Sequence, residues 1–449
     1  MTTWASLAKP LTITERQSLV EETTSRLKGL SLEVLRDRQR LRETVVGEMT
    51  NAAARLGLGV GPEVLSGLVN QAVAQLGGLG FINPLLPPAR TDLSEIALTP
   101  DGGLWVLPKG ARNFVLLAQR PPHAEVWRTV EALLAPLGRN LSEATPSVDA
   151  KLPRMEGFGG ARVKIIHPVL TPGAGYPSIN IRLFEAKPVT VAQLVEWDVA
   201  PPSVLNALVQ AVTYEHRLLV VGGTATGKTT ILSALCEGIP RAARVVKIED
   251  PEEIWLDHPH VVTLEARPAL PGSEVPAYST KNGVDDAMRM SPRWLIVGEV
   301  RTGDVALSLF RAQMSDHPGL STFHASSPHH AIHRMALIMF TDKDVKIAAA
   351  KENFAQAVDL LVQVGWLGGK RRILGVWAVD KELRGGDVKL HDLYLADGYR
   401  MNDTEDRVGQ LKQWFGAEQP HAALRTHFVH EEAQELAFAL AQGGVNGCP

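Results

Sequence analysis

Only two cysteines, Cys236 and Cys448, occur among the 449 residues, which excludes a disulfide-stapled scaffold and a four-cysteine zinc site. Cys236 falls in a helical pattern and reads as a small buried apolar residue in a reducing compartment. Long hydrophobic runs are missing too: no stretch approaches the eighteen or more apolar residues of a membrane span. The opening "MTTWASLAKPLTITERQ" lacks a basic segment leading into an apolar one, so no secretory signal is expected and the mature chain is expected to begin here. Charge of one sign is scarce, the formal net being −3, so no global basic field for nucleic acid exists and no sequence-specific nucleic-acid contact is expected. What is present is 45% hydrophobic and 21% charged residues, the balance of a water-soluble chain, at a length that implies two or three domains.

One stretch stands out. "VVGGTATGKTTIL" follows an apolar run, Leu218 to Val221, and opens a helical pattern at Ile231, Leu232 and Leu235. Strand, glycine-rich loop and helix, with Gly222-x4-Gly227-Lys228-Thr229, form the order of a P-loop. The backbone of Gly222, Gly223, Thr224, Ala225, Thr226 and Gly227, with Thr230 behind them, would cradle phosphate oxygens at the helix N-terminus. Lys228 would neutralise the β/γ charge, and the Thr229 hydroxyl would sit on Mg²⁺. ATP and Mg²⁺ are the implied ligands.

Periodicity divides the chain into a helical region at 1–80, an α+β domain at 81–186, a linker at 187–202 and a P-loop domain at 203–449. In the first, "PEVLSGLVNQAVAQL" has the 3.6 period between a proline and Gly77-Gly78, and Arg36, Arg38, Arg40 and Arg42 form a basic row that reads as a solvated helix face. In the second, "LSEIALTPDGGLWVLPKG" reads as a hairpin on Asp-Gly-Gly, "HAEVWRTVEALLAPLG" as a helix and "SINIRLFEA" as a strand. In the last, "RLLVVGG", "ARVVKIED", "PHVVTLEA", "RWLIVGEV" and "GLSTFHA" alternate with helical patterns, the signature of a sheet between helix layers. "LLVQVGWLGGKRRILGVWAVD" then reads as a hairpin around Gly368-Gly369, and "VKLHDLYLAD" as one more strand.

Phosphate binding is shared by switches, kinases and motors, so the polar strand ends must decide the chemistry. "RWLIVGEVR" ends in Glu299, a carboxylate able to orient water beside a γ-phosphate and take its proton. Gly298 stands where many P-loop enzymes carry an aspartate, so the metal must find a carboxylate elsewhere, and Glu249 with Asp250 in "VVKIEDPEE" are the candidates. His324, ending "GLSTFH", can hydrogen-bond a γ-phosphate and report its loss. His329, His330 and His333 follow at helical spacing, but no cysteine or carboxylate at matching spacing makes them a zinc site. Arg162, Arg182 and Arg301 lie outside the P-loop and would bring a second cation to the charge that phosphoryl transfer spreads over the γ-oxygens.

Together "GGTATGKTT", "KIEDPEE", "LEARP", "RMSPRWLIVGEVR" and "DHPGLSTFHASSP" resemble the Walker A, Asp box, Walker B and His box of the type II and type IV secretion ATPases. The helical lead-in is most like that of the tight-adherence (Flp) pilus assembly branch. The resemblance implies a RecA-like P-loop core with an N-terminal sensory-type (PAS-like) α+β domain. It implies a homo-hexamer with ATP between the two domains, a peripheral place on the cytoplasmic face of the inner membrane, and a membrane platform partner. It also implies that Arg162, Arg182, Arg267 and Arg301 match arginines lining the family's interface. Ala225 departs from a frequent glycine, and Ser315-Asp316 precede His317 where Gly-His is usual. A conjugation or effector-export ATPase, and a nucleotide-gated scaffold with little turnover, are the alternatives.

Overall fold

The computed structural model describes residues 11–399 apart from positions 28, 32–33, 36, 77–78, 118–119, 156, 172–174 and 270–273. Arg36, the Gly77-Gly78 helix stop, Cys448 and the part of the 203–449 region beyond 399 therefore lie outside the described residues. Backbone contacts divide the chain into two compact units, Met1–Lys187 and Pro188–Pro449. No helix among the described residues is long and apolar enough to cross a membrane.

The first unit begins with three helices, α1 (Ile13–Arg26), α2 (Arg38–Arg55) and α3 (Pro62–Leu76). Helix α1 starts at a reciprocal capping box of Thr12 and Glu15, which satisfies otherwise orphaned donors. Leu19, Val45, Met49, Val69 and Ala72, spaced at helical intervals, are buried together between the helices. Of the basic row, Arg40 pairs with Asp37 at 3.4 Å, and Arg42 bridges to Asn70 and to Ser66 (3.3 Å) on α3. Both arginines remain exposed, on the solvated face that the sequence predicts.

A six-stranded antiparallel sheet follows in the order β3-β2-β1-β6-β5-β4. Its strands are β1 (Leu93–Leu98), β2 (Leu104–Pro108), β3 (Val115–Leu116), β4 (Ser147–Leu152), β5 (Ala161–Ile166) and β6 (Ser178–Leu183), with α4 (His123–Leu134) between β3 and β4. The β1–β2 hairpin turns on Asp101-Gly102-Gly103, as the sequence predicts, with Gly102 in the left-handed region at φ +84°. In β5 every second residue, Ala161, Val163 and Ile165, is buried, and the alternate face carries Arg162 and Lys164.

The second unit is built on an eight-stranded sheet, β14-β13-β12-β7-β11-β10-β8-β9. The five strands expected before the hairpin appear as β7 (Leu218–Gly222), β8 (Val245–Glu249), β9 (Val261–Glu265), β10 (Trp294–Val300) and β11 (Gly319–His324). They are parallel to one another and to β12 (Leu360–Leu367), while β13 (Lys370–Arg384) and β14 (Asp387–Leu395) continue antiparallel. Successive residues point to opposite faces: Leu219, Val221, Ile248 and Val297 enter one core, and Leu218, Val220, Val245 and Ile296 the other. Val189, Val191, Leu194 and Val199 are buried in the second of these cores. Helices α5 (Val191–Glu196) and α6 (Pro202–Thr213) precede β7, α7 (Lys228–Leu235) leaves it through the P-loop, α8 (Thr280–Ala287) and α9 (Gly303–Met314) flank β10 in sequence, and α10 (Pro328–Lys343) leaves β11. Because β7 lies between β12 and β11, with its sequence successor β8 three strands away, the crevice above its carboxyl end is the switch point where such sheets bind ligands. The fold is α/β, a RecA-like core with an N-terminal α+β region and a helical lead-in.

The opposite end of this sheet is tied by charge. Asp359, just before β12, accepts from the Arg217 backbone at 2.8 Å, from its Nε at 2.9 Å and from its Nη2 at 2.7 Å, and pairs with Lys381 at 2.6 Å. Burial alone would raise its pKa, but Arg217 and Lys381 hold it down to about 2. A folded pKa below the unfolded one contributes stability that is present above about pH 4 and is lost as pH falls toward 2. Asp359→Asn should cost about 2 kcal/mol at pH 6, and thermal melts of wild type and variant should converge as pH falls through that window. A gap that persists at pH 2 would mean the charge is not what stabilises this corner.

Candidate functional site

The P-loop geometry begins with what Gly222 lacks. A Cβ there would stand 2.4 Å from the Val364 carbonyl oxygen and 2.7 Å from Thr226 Oγ1, so the strand can turn into the loop only as glycine. Ala225 and Gly227 then take left-handed φ values of +57° and +92°. The alanine accepts a conformation that costs a non-glycine residue about 1–2 kcal/mol, so the departure from glycine keeps the loop shape at the expense of local strain. Lys228, buried at the start of α7, folds its Nζ onto the Gly223 carbonyl at 2.8 Å, the same oxygen that takes a 3.0 Å bond from Thr226. Thr229 and Thr230 are half-buried in the first turn behind it.

The neighbouring strands bring their polar ends to this loop. His324 pairs in register with Gly222, and its Nε2 lies 3.4 Å from Thr224 Oγ1. Burial, reinforced by Lys228 and opposed by Glu299, depresses its pKa below the usual histidine value, which favours a neutral imidazole. Glu299, near the end of β10, accepts from Arg301 Nε at 2.7 Å, and Arg301 Nη1 lies 3.5 Å from Asp250. Arg301 thus spans both carboxylates; burial works against its charge, but the Glu299 hydrogen bond and the negative charges of Glu299, Asp250 and Glu253 together raise its pKa.

Glu249 occupies the space that Gly298 leaves. A Cβ at residue 298 would lie 2.9 Å from Glu249 Cγ, so glycine at the usual aspartate position and a glutamate from the adjacent strand are two halves of one packing solution. Glu249 Oε1 accepts from the backbone N–H groups of Glu253 (3.1 Å) and Ile254 (3.0 Å), which folds the loop after β8 over the strand end. Its Oε2 lies 3.0 Å from Lys247 Nζ, so the carboxylate is one half of a buried ion pair. Burial raises the Glu249 pKa, opposed by Lys247. A carboxylate oxygen keeps a second lone pair beside its ion pair and can take a divalent cation or its water, so the residues present fit Mg²⁺. Asp250 is exposed and held by Arg301. His330 Nδ1, by contrast, is engaged by Ser326 Oγ at 2.9 Å, and no group of three or more histidines, cysteines or carboxylates among the described residues is arranged to hold a metal ion.

Three candidates lie away from this cluster. Arg267 follows β9, four strands along from β7, about 19 Å at the usual strand spacing, and among the described residues its guanidinium reaches the Pro276 carbonyl at 3.5 Å. Arg162 and Arg182 belong to the other unit, where they are direct register partners on the polar face of its sheet, with Lys151 opposite Arg162. The row runs on through Arg182 to Glu95 on β1, so it holds three cations and one carboxylate side by side.

Two residues escaped the sequence reading. Lys247 is fully buried and donates to Glu252 at 2.9 Å and to the Ile254 carbonyl. A lysine inside the apolar run "RVVKIED" was the available signal. Arg371 packs its Cδ where a Gly227 side chain would begin, 3.8 Å away, and stacks over Trp366 at 5.1 Å. Nothing in its sequence context announces that.

The type II/IV secretion system protein family matches residues 140–363, which include every polar strand end of the cluster. A Methanocaldococcus jannaschii protein of uncharacterised function is 32% identical over 214 residues, covering 47% of this chain and 75% of that one. The chain belongs to this family. Two further relatives are the type IV secretion system protein PtlH of Bordetella pertussis, 28% identical over 65% of this chain and 92% of its own, and the conjugal transfer protein TrbB of Rhizobium radiobacter, 28% identical over 62% and 81%.

The Gly298–Glu249 contact makes a prediction. Gly298→Ala should destabilise the second unit by about 1–3 kcal/mol in chemical denaturation, and by clearly less when Glu249 is already alanine. Equal cost in both backgrounds would mean the two residues do not share that space.

Proposed function

We propose that the chain is a Mg²⁺-dependent ATPase that works as a homo-hexameric ring, peripheral to the cytoplasmic face of the inner membrane, where it docks a membrane platform protein and powers pilus assembly or secretion. The observation that carries this reading is the meeting of Lys228, Glu299 and His324 at the carboxyl ends of one parallel sheet in a secretion-family chain. Lys228 gives up the Gly223 carbonyl for the β/γ-phosphates, and the Thr229 hydroxyl with the Glu249 carboxylate would serve the Mg²⁺ shell. Mg²⁺ supplies charge neutralisation at the phosphates. Glu299, released by Arg301, takes the proton of the attacking water, while the neutral His324 hydrogen-bonds the γ-phosphate. Arg182, with Arg162 beside it, supplies the second cation when the ring closes.

For the client, the helical bundle ahead of the α+β region favours the tight-adherence pilus branch, and the names of the two relatives above favour conjugation or effector export. A prepilin gene beside this one would support the first, a relaxase gene the second.

Glu299→Gln should keep ATP binding and lower kcat by about 10²-fold or more, the usual size of a general-base contribution. Lys228→Ala should instead weaken ATP binding itself in calorimetry. Wild-type turnover in the first, or unchanged affinity in the second, would remove that residue from the mechanism.

Arg182→Ala should lower kcat far more than ATP affinity and poison wild-type rings. ATPase rate measured against the fraction of Arg182→Ala subunits should fall faster than a straight line. A linear fall would mean that subunits fire independently.

A further inference from the structure

Gln363 is fully buried in β12, beside the P-loop strand and opposite Val221 in register. The β12–β13 ladder slips between Gln363 and Val364, the kind of irregularity that re-aims a side chain. Both ends of the Gln363 amide are engaged. Its Nε2 donates to the Ser326 carbonyl at 2.7 Å, and its Oε1 accepts from Tyr399 Oη at 2.8 Å. Ser326 lies in the connector between His324, the last residue of β11, and Pro328, the first of α10. Other anchors of that connector are His330, whose Nδ1 meets Ser326 Oγ at 2.9 Å, Arg334, which donates to the His324 carbonyl, and Ser327, which caps the helix through His330 N–H at 3.2 Å.

A leucine or methionine would fill the same space without desolvating an amide, a cost of about 1–3 kcal/mol wherever a partner is missing. The amide is therefore explained by what it holds. We infer that Gln363 is a positioning residue for the phosphate-sensing histidine: it fixes the Ser326 carbonyl, with Tyr399 orienting its amide from the far side, so that the His324 ring meets the γ-phosphate in one geometry. The inference rests on the reading of His324 as the γ-phosphate contact. It adds that the ring is aimed from strand β12 and from Tyr399, at the end of the described chain, as well as from its own strand.

Gln363→Glu keeps the acceptor for Tyr399 and loses the donor to Ser326, and Gln363→Asn shortens the reach to both. Each should lower kcat about tenfold, the size expected for a reacting group displaced by less than an ångström, while ATP affinity in calorimetry stays within about twofold. In a His324→Gln background the same substitutions should lower kcat no further, because the ring through which they act is already gone. An equal additional drop there would overturn the inference, as would wild-type kcat in both single variants with only a lower melting temperature, the mark of a purely structural amide. The ring resonances of His324, assigned by their loss in His324→Gln, give a readout without turnover. They should shift in Gln363→Glu and Gln363→Asn and stay put in Arg293→Ala, a control that breaks an exposed pair with Glu215 at the opposite end of the sheet. If the wild type binds ATP but does not hydrolyse it, the proposed function fails while the resonances still decide the inference. Unshifted resonances would overturn it.

Discussion

The close approach of β12 to the P-loop strand is the constraint on which the second unit depends. A Val364 carbonyl oxygen only 2.4 Å from where a Gly222 Cβ would be leaves no room for any side chain at the strand-to-loop turn. Once Gly222 is fixed, the loop must climb through left-handed conformations at Ala225 and Gly227 before α7 can begin. The same strand carries Gln363 to the His324 connector and, through its hairpin partner, Arg371 to Gly227. The wall of the nucleotide site is therefore a strand far along the chain, drawn in by sheet pairing.

Charge is distributed unequally between the two ends of that sheet. At the amino end of β12, Asp359 is saturated by Arg217 and Lys381, and the saturated pair holds its pKa near 2. At the carboxyl ends the charges are shared instead: Glu249 pairs with Lys247, Lys228 folds onto the Gly223 carbonyl, and Glu299 is held by an arginine that also reaches Asp250. Contacts of this kind can be exchanged for those of a ligand. The contrast separates the structural end of the sheet from the chemical one without reference to any relative.

Lys247 and Gly298 illustrate how neighbouring strands share one site. The glycine leaves the volume, the glutamate enters it from β8, and the buried lysine balances the glutamate while pinning the loop that follows. None of the three is interpretable alone. As a set they explain why this chain lacks the aspartate that commonly precedes a catalytic glutamate in P-loop proteins.

By itself the sequence determined the local events: the P-loop, whose glycines and Lys228 are contiguous, the strands with their apolar runs, the Asp-Gly-Gly hairpin, and the strand ends bearing Glu249, Glu299 and His324. These are legible because backbone freedom and side-chain periodicity act over a few residues. Tertiary structure alone decided that Glu249 fills the gap at Gly298, that Arg301 spans Glu299 and Asp250, that Arg267 lies four strands from the P-loop strand, and that Gln363 reaches the His324 connector. Each of these depends on strand order, and strand order is set by which apolar faces bury together across long separations, a property that no short window of residues contains.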